Sequence, residues 1–159
     1  MSPHEPDLPG LHEGFRTLRG ALAGNEPDEP PYFAYSATLR IFGDFLDLDG
    51  ITQQLGLTPT NSHRKGERAG PRSAPYQHDM WAYEPPVPEE QPLEVHIDAL
   101  WTDIKHATAY LRTLKQLAIV DVFLGYRSNS DQAGISVPAA SLTMFVELEL
   151  PFGLSIIIT

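Results

Sequence analysis

Between Phe33 and Gly43 the chain reads FAYSATLRIFG, and Tyr35, Ala37, Leu39 and Ile41 alternate with Ser36, Thr38 and Arg40. A period of two places these sets on opposite sides of an extended backbone, which predicts a strand with one buried face. In the following GDFLDLDGITQQLGL, Leu48, Ile51 and Leu55 share one helical face. Asp47 or Asp49 supplies that short helix with a cap, and Gly56 with a stop. Residues 58–77, TPTNSHRKGERAGPRSAPYQ, hold three prolines, two glycines and no apolar period, so they predict a long loop. MWAY, at Met80 to Tyr83, predicts a second strand before EPPVPEEQP breaks the chain again. The longest helix starts near Pro92, and Leu93, Ile97, Leu100, Trp101, Ile104, Thr108, Leu111 and Leu114 follow one stripe. Burying its seven apolar side chains contributes roughly 10–20 kcal/mol gross, before conformational entropy is subtracted. Ile119 to Arg127, rich in β-branched and aromatic residues, predicts another strand.

Three segments add to this frame. SLTMFVELEL alternates Met144, Val146, Leu148 and Leu150 against Phe145, Glu147 and Glu149, which suits a strand. Wound at 3.6 residues per turn, Val137, Ser141, Phe145 and Leu148 form a face instead, with Ser136 as cap and Pro138 in the first turn; periodicity leaves both open. Leu154 to Ile158 is apolar on both sides and predicts a buried final strand. Residues 1–31 are bracketed by prolines and acids, with Leu11, Phe15, Leu18 and Leu22 at helical spacing and Gly24 after them. They read as a leader with a short amphipathic helix, ahead of a single domain over residues 32–159. The fold expected is α+β: a two-layer sandwich whose mostly antiparallel sheet of four or five strands carries helices on one face, ferredoxin-like by analogy.

The residues Gly43 and Asp44, then Ile51, Leu55, Gly56, Leu57 and Pro59, then Arg64, Lys65 and Gly66, with Trp81 and the terminal Leu154–Ser155–Ile156, carry a resemblance. In that order they resemble a bacterial family catalogued only as domain of unknown function 4279, over about residues 33–158. The resemblance implies a compact α+β domain and a helix over 138–149. It carries no activity, cofactor or catalytic residue.

Composition narrows the function. At 159 residues with 42% hydrophobic content, one domain can bury a core without a staple, and there is no cysteine for a disulfide, a thiolate metal site or a nucleophile. The absence of cysteine fits a reducing compartment. A net charge of −10 opposes the phosphate neutralisation on which nucleic-acid binding depends, and opposes an anionic membrane surface likewise. MSPHEPDLPG lacks the basic and apolar runs of a secretory signal, and no apolar stretch is long enough to span a bilayer, so the expected location is the cytoplasm.

Against this acidic background Arg64, Lys65, Arg68 and Arg72 crowd one loop with only Glu67 among them. Screening over about 8 Å allows such a loop to be locally positive. Arg64, Lys65 and Arg68, with His63 and Trp81 beside them, are therefore the candidate ligand site, for an acidic protein surface or a small anion. The competing reading is that these side chains pair with acids of their own fold. Trp81 has the same two readings, core or stacking platform. The Asp44, Asp47, Asp49, Gly50 cluster fails as a calcium loop, because Phe45 and Gly56 would occupy its first and last positions, and helix capping explains it better. His96 and His106 stand off the apolar stripe, and no histidine pair has the spacing of two ligands on one helix face. Neither a nucleophile elbow nor a phosphate-cradling glycine loop is present, and no metal or cofactor is implied. The expected function is a non-catalytic binding module. The alternative is an enzyme, a hydrolase, using His63 or His78 with a carboxylate near the basic loop.

Overall fold

A computed structural model describes residues 30–130 and 134–159; the expected leader helix lies outside the described residues. Five strands, β1 (Phe33–Gly43), β2 (Asn61–His63), β3 (Asp79–Tyr83), β4 (Ile119–Ser128) and β5 (Leu154–Ile158), form one sheet in the order β2-β3-β1-β4-β5. β1 is antiparallel to β3 and β4, and β2 to β3, whereas β5 runs parallel to β4. The helices are α1 (Leu48–Leu55), α2 (Leu93–Ile104), α3 (Thr108–Leu114) and α4 (Thr143–Glu147). The architecture is α+β with a mixed, mostly antiparallel sheet, as the alternation of β1 predicts.

The core follows from register. Ile41 stands opposite both Trp81 and Val120, Leu39 opposite Val122, and Ala37 opposite Leu124, and all seven side chains are buried. Leu93, Ile97, Leu100, Ile104, Leu111 and Leu114 cover them in a single hydrophobic cluster, which places the helices on one face. A 3₁₀ turn at Lys105–Ala107 separates α2 from α3, and buried Ala107 keeps the stripe in phase across it. Trp101 is only half-buried at the margin of the stripe. His96, by contrast, is fully buried. It lies three residues after Leu93 and four before Leu100, so it shares their face and widens the stripe.

Local signals at helix ends act as the sequence predicts in α1: the Asp47 carboxylate accepts the Gly50 N–H at 3.0 Å, and Gly56 closes the helix at φ 65°. The segment before β5 is helical, a 3₁₀ turn at Ala139–Leu142 running into α4. Ser141, Met144, Phe145 and Leu148 are buried at helical spacing, so the 3.6 period governs there. Two expectations need correction. The long loop contains β2, a strand too short to show a period. β5 is not buried: Ile156, Ile157 and Ile158 are 59%, 53% and 50% exposed. Being apolar on both sides does not distinguish a central strand from an edge, and β5 is an edge.

Candidate functional site

The loop joining β2 to β3 is organised around one carboxylate. Asp79 opens β3 opposite Gly43 at the end of β1, and it is 5% exposed. Its side chain accepts the Lys65 N–H at 2.8 Å and the Leu46 N–H at 2.9 Å, and Arg64 Nη1 stands 3.4 Å away. The Lys65 amide foremost, aided by the Leu46 amide and the Arg64 charge, outweighs burial and holds this carboxyl below its ordinary value of 3.8. A single buried acid thus ties the turn after β1 to the loop after β2.

The rest of the loop braces itself. Gly66 donates to the Tyr76 carbonyl and Tyr76 to that of Glu67, while the Glu67 carboxylate accepts the Arg64 N–H at 2.8 Å. Gly66 takes φ 88°, a left-handed backbone that other residues rarely adopt. His63 stacks on Tyr76 with ring centroids 3.5 Å apart. Its Nδ1 is buried without a hydrogen-bond partner among the described residues, and no acid reaches it there.

Of the five candidate residues, His63, Arg64, Lys65 and Arg68 share this loop, but their polar ends do not converge. Arg64 donates to the Leu46 carbonyl as well as facing Asp79, Lys65 Nζ lies 3.2 Å from Asp44 Oδ1, and Arg68 donates to the Ser73 carbonyl. Arg68 and Arg72 have no acid partner among the described residues. Trp81 stands apart from all of these. It is fully buried under α1 and donates its indole N–H to Thr52 Oγ1 at 3.0 Å, so it offers no face to a surface ligand. Its place in the core follows from the register with Ile41.

A second constellation lies at the end of β1. The Asp44 carboxylate receives both Lys65 Nζ and His78 Nδ1, each at 3.2 Å. The hydrogen bond from His78 first, then that from Lys65, holds Asp44 below its ordinary value. Asp44 and His78 border a groove of about 390 Å³ whose far wall is residues 115–119. Capping therefore accounts for Asp47 but not for Asp44. Phe45, which nothing in the sequence singles out, is 97% exposed beside Asp44 and takes φ 60°, unusual for an aromatic residue. The Leu46 bond to Asp79 holds that turn. A carboxylate on Nδ1 leaves Nε2 of an imidazole available as a proton acceptor, the arrangement required of a general base.

A third feature occupies the sheet face without helices. Ser36, Gly125 and Ser155 stand in register across β1, β4 and β5, flooring a trough of about 260 Å³ whose rim carries Arg127 and Glu89, 3.6 Å apart. A Cβ at Gly125 would lie 2.5 Å from Ser36 Oγ, so a side chain there requires the Ser36 hydroxyl to turn aside. Among the described residues, no three His, Asp or Glu side chains are grouped to hold a metal ion, and no helix is long and apolar enough to cross a membrane.

Comparison with curated proteins and with solved structures finds no match. A family model does match, over residues 33–158, which spans β1 to β5 and every constellation described above. Of the residues that carry the resemblance, Gly43 and Asp44 lie at the base of the loop, Arg64, Lys65 and Gly66 within it and Trp81 behind it, while Ile51, Leu55, Gly56, Leu57 and Pro59 lie on α1 or just after it and Leu154, Ser155 and Ile156 on β5. The chain belongs to the family described as domain of unknown function (DUF4279).

Proposed function

We propose that this domain is a non-catalytic binding module that presents the loop between β2 and β3 to an acidic protein surface. The observation that carries this reading is the division of labour among the loop's cations. Arg64 and Lys65 are engaged with Asp79 and Asp44, while Arg68 and Arg72 have no acid partner among the described residues and stand on a backbone braced by its own hydrogen bonds. A pre-braced loop loses little conformational freedom on binding, which favours affinity. Dispersed cations suit an extended acidic surface better than one small anion, which needs donors that converge. Rim charges of this kind govern association rate and salt dependence. With poly-glutamate as probe, binding at low salt should weaken at least tenfold in the Arg68→Glu, Arg72→Glu double variant, at unchanged melting temperature. Equal binding by both proteins rejects the reading, and tight binding of inorganic phosphate instead favours the small-anion version.

One observation favours a second reading, a hydrolytic enzyme: His78 is 3.2 Å from Asp44 beside a groove, with Lys65 alongside. In this reading His78 is the general base and Asp44 orients it. His63, stacked on Tyr76 with no acid partner among the described residues, has no such part. A panel of small esters should then be hydrolysed, and His78→Ala should lose roughly 10²–10⁴-fold in rate. Equal rates in both proteins reject it.

A further inference from the structure

β5 carries an inference about assembly. Ser128 stands opposite Ile158, and the Thr159 N–H donates to the Ser128 carbonyl at 3.0 Å. Peptide groups alternate sides along a strand, so Thr159, Ile157 and Ser155 turn theirs toward β4. Leu154, Ile156 and Ile158 turn their N–H and C=O groups outward. Among the described residues no strand lies beyond β5. An edge of this kind is ordinarily blunted by a lysine, a mid-strand proline, an inward charge or a bulge. From Pro151 to Thr159, PFGLSIIIT, the chain has no charged residue, and its single proline precedes the strand.

The outward set is symmetric about Ile156, with Leu154 two residues before it and Ile158 two after. We propose that β5 pairs antiparallel with β5 of a second copy about a two-fold axis through Ile156, joining the two sheets into one. Ile156 then stands opposite its symmetry mate and Leu154 opposite Ile158, and each such pair exchanges two N–H···O=C bonds. Side chains match as well. Tyr35, Tyr126 and Ile156 form one row across β1, β4 and β5, with the tyrosine rings 5.3 Å apart, and the two-fold continues that row into the partner. Cross-strand apolar pairs of this kind are the stabilising unit of a sheet. A charge-free strip lets two copies that each carry −10 meet without bringing acids together. A strand that is its own complement needs no other partner, and the contact is isologous and closed.

The protein contains no cysteine, so a single introduced one reports register without ambiguity. In hydrogen-bonded antiparallel pairs the Cα atoms lie about 5.5 Å apart, within reach of a disulfide. Mild oxidation of the full chain carrying Ile156→Cys should therefore give a covalent dimer. With Ile158→Cys the two positions lie about 13 Å apart across the axis, and no dimer should form. By light scattering the unsubstituted chain should be dimeric at micromolar concentration. Ile156→Pro should be monomeric with its β4 ladder intact, because the N–H it loses faces outward. Should that variant misfold, Ile157→Lys at the same edge should weaken association at least tenfold. A monomer at every concentration, equal cross-linking at both positions, or dimers that ignore both edge variants would overturn the proposal. So would a monomer whose outward β5 amides resist hydrogen exchange, since another strand would then occupy the edge.

Discussion

The sheet ends in two edges of opposite character. At one, β2 is three polar residues long, and Arg64 and Lys65 follow it directly into a loop that folds back on Asp79. At the other, β5 is five residues of LSIII with three half-exposed isoleucines and no charge. The first edge is short and polar and cations follow it directly, and these are means by which sheets avoid unwanted pairing. The second has none of them. The contrast teaches that charge in a sequence and charge available for recognition are different quantities. The cations nearest the guarded edge are already paired with acids of their own fold, while the bare edge offers backbone donors and acceptors that need no charge to find a partner.

The comparison is most easily broken by substitutions of very different cost. Trp81 stands in β3 behind the guarded edge and is fully enclosed, so Trp81→Ala should destabilise by about 3–5 kcal/mol in denaturant unfolding. Ile156→Ala on the bare edge should cost the monomer under about 1 kcal/mol, because its side chain is 59% exposed. Similar losses in the two would mean that β5 is covered, and the contrast would fail.

Removing the acid that seals the guarded edge should come next in size. Asp79→Ala leaves the Leu46 and Lys65 amides without their acceptor, so both should lose hydrogen-exchange protection and the melting temperature should fall, by less than in Trp81→Ala. Because the folded carboxyl lies below its ordinary value of 3.8, its contribution is complete above that pH and is lost as pH falls through the lower folded value. Acid below about pH 4 should therefore destabilise the unsubstituted chain more than the variant. A steeper fall in the variant would assign the seal to another group.

A smaller effect separates both edges from the layer behind them. His96 lies on α2 and is fully buried, and burial lowers its basicity more than the Gln91 carbonyl and the Glu84 charge restore it. Its folded value lies below 6.5, so stability should be full above pH 6.5 and decline as pH drops toward that lower value. His96→Leu should flatten this decline without altering association through β5. If oligomeric state instead follows the same titration, the helix layer and the bare edge are coupled.

Much of this was legible because local rules and tertiary packing agree. The alternation in β1, an aspartate cap at 47 or 49, the Gly56 stop and the stripe from Leu93 to Leu114 each point to their element, although the single helix that the stripe predicts is divided into α2 and α3 by a 3₁₀ turn. What could not be read depends on contacts distant in sequence. Asp44 resembles one more capping acid until Gly43 is seen opposite Asp79, which brings Lys65 and His78 to it. Trp81 follows a basic loop in sequence, but its register with Ile41 points it inward. LSIII has the composition of a central strand, and only the order of strands reveals it as an edge. The cluster Arg64, Lys65, Arg68 and Arg72 was visible as charge. How that charge divides was not, because Asp79 and Asp44 arrive from other strands.

That division yields the smallest and sharpest test. Arg68 meets only the Ser73 carbonyl and Arg72 has no acid among the described residues, so Arg68→Glu and Arg72→Glu should each shift stability by less than about 0.5 kcal/mol. Arg64→Glu differs in kind, although the position is as basic and nearly as exposed. It would remove the donor to the Leu46 carbonyl and set a second carboxylate against Asp79, repelling the group on which the loop is folded. Its melting temperature should fall clearly below those of the other two, and the Leu46 and Lys65 amides should exchange faster. If all three variants melt together, Arg64 is as available as its neighbours, and the guarded edge is no more closed than the bare one.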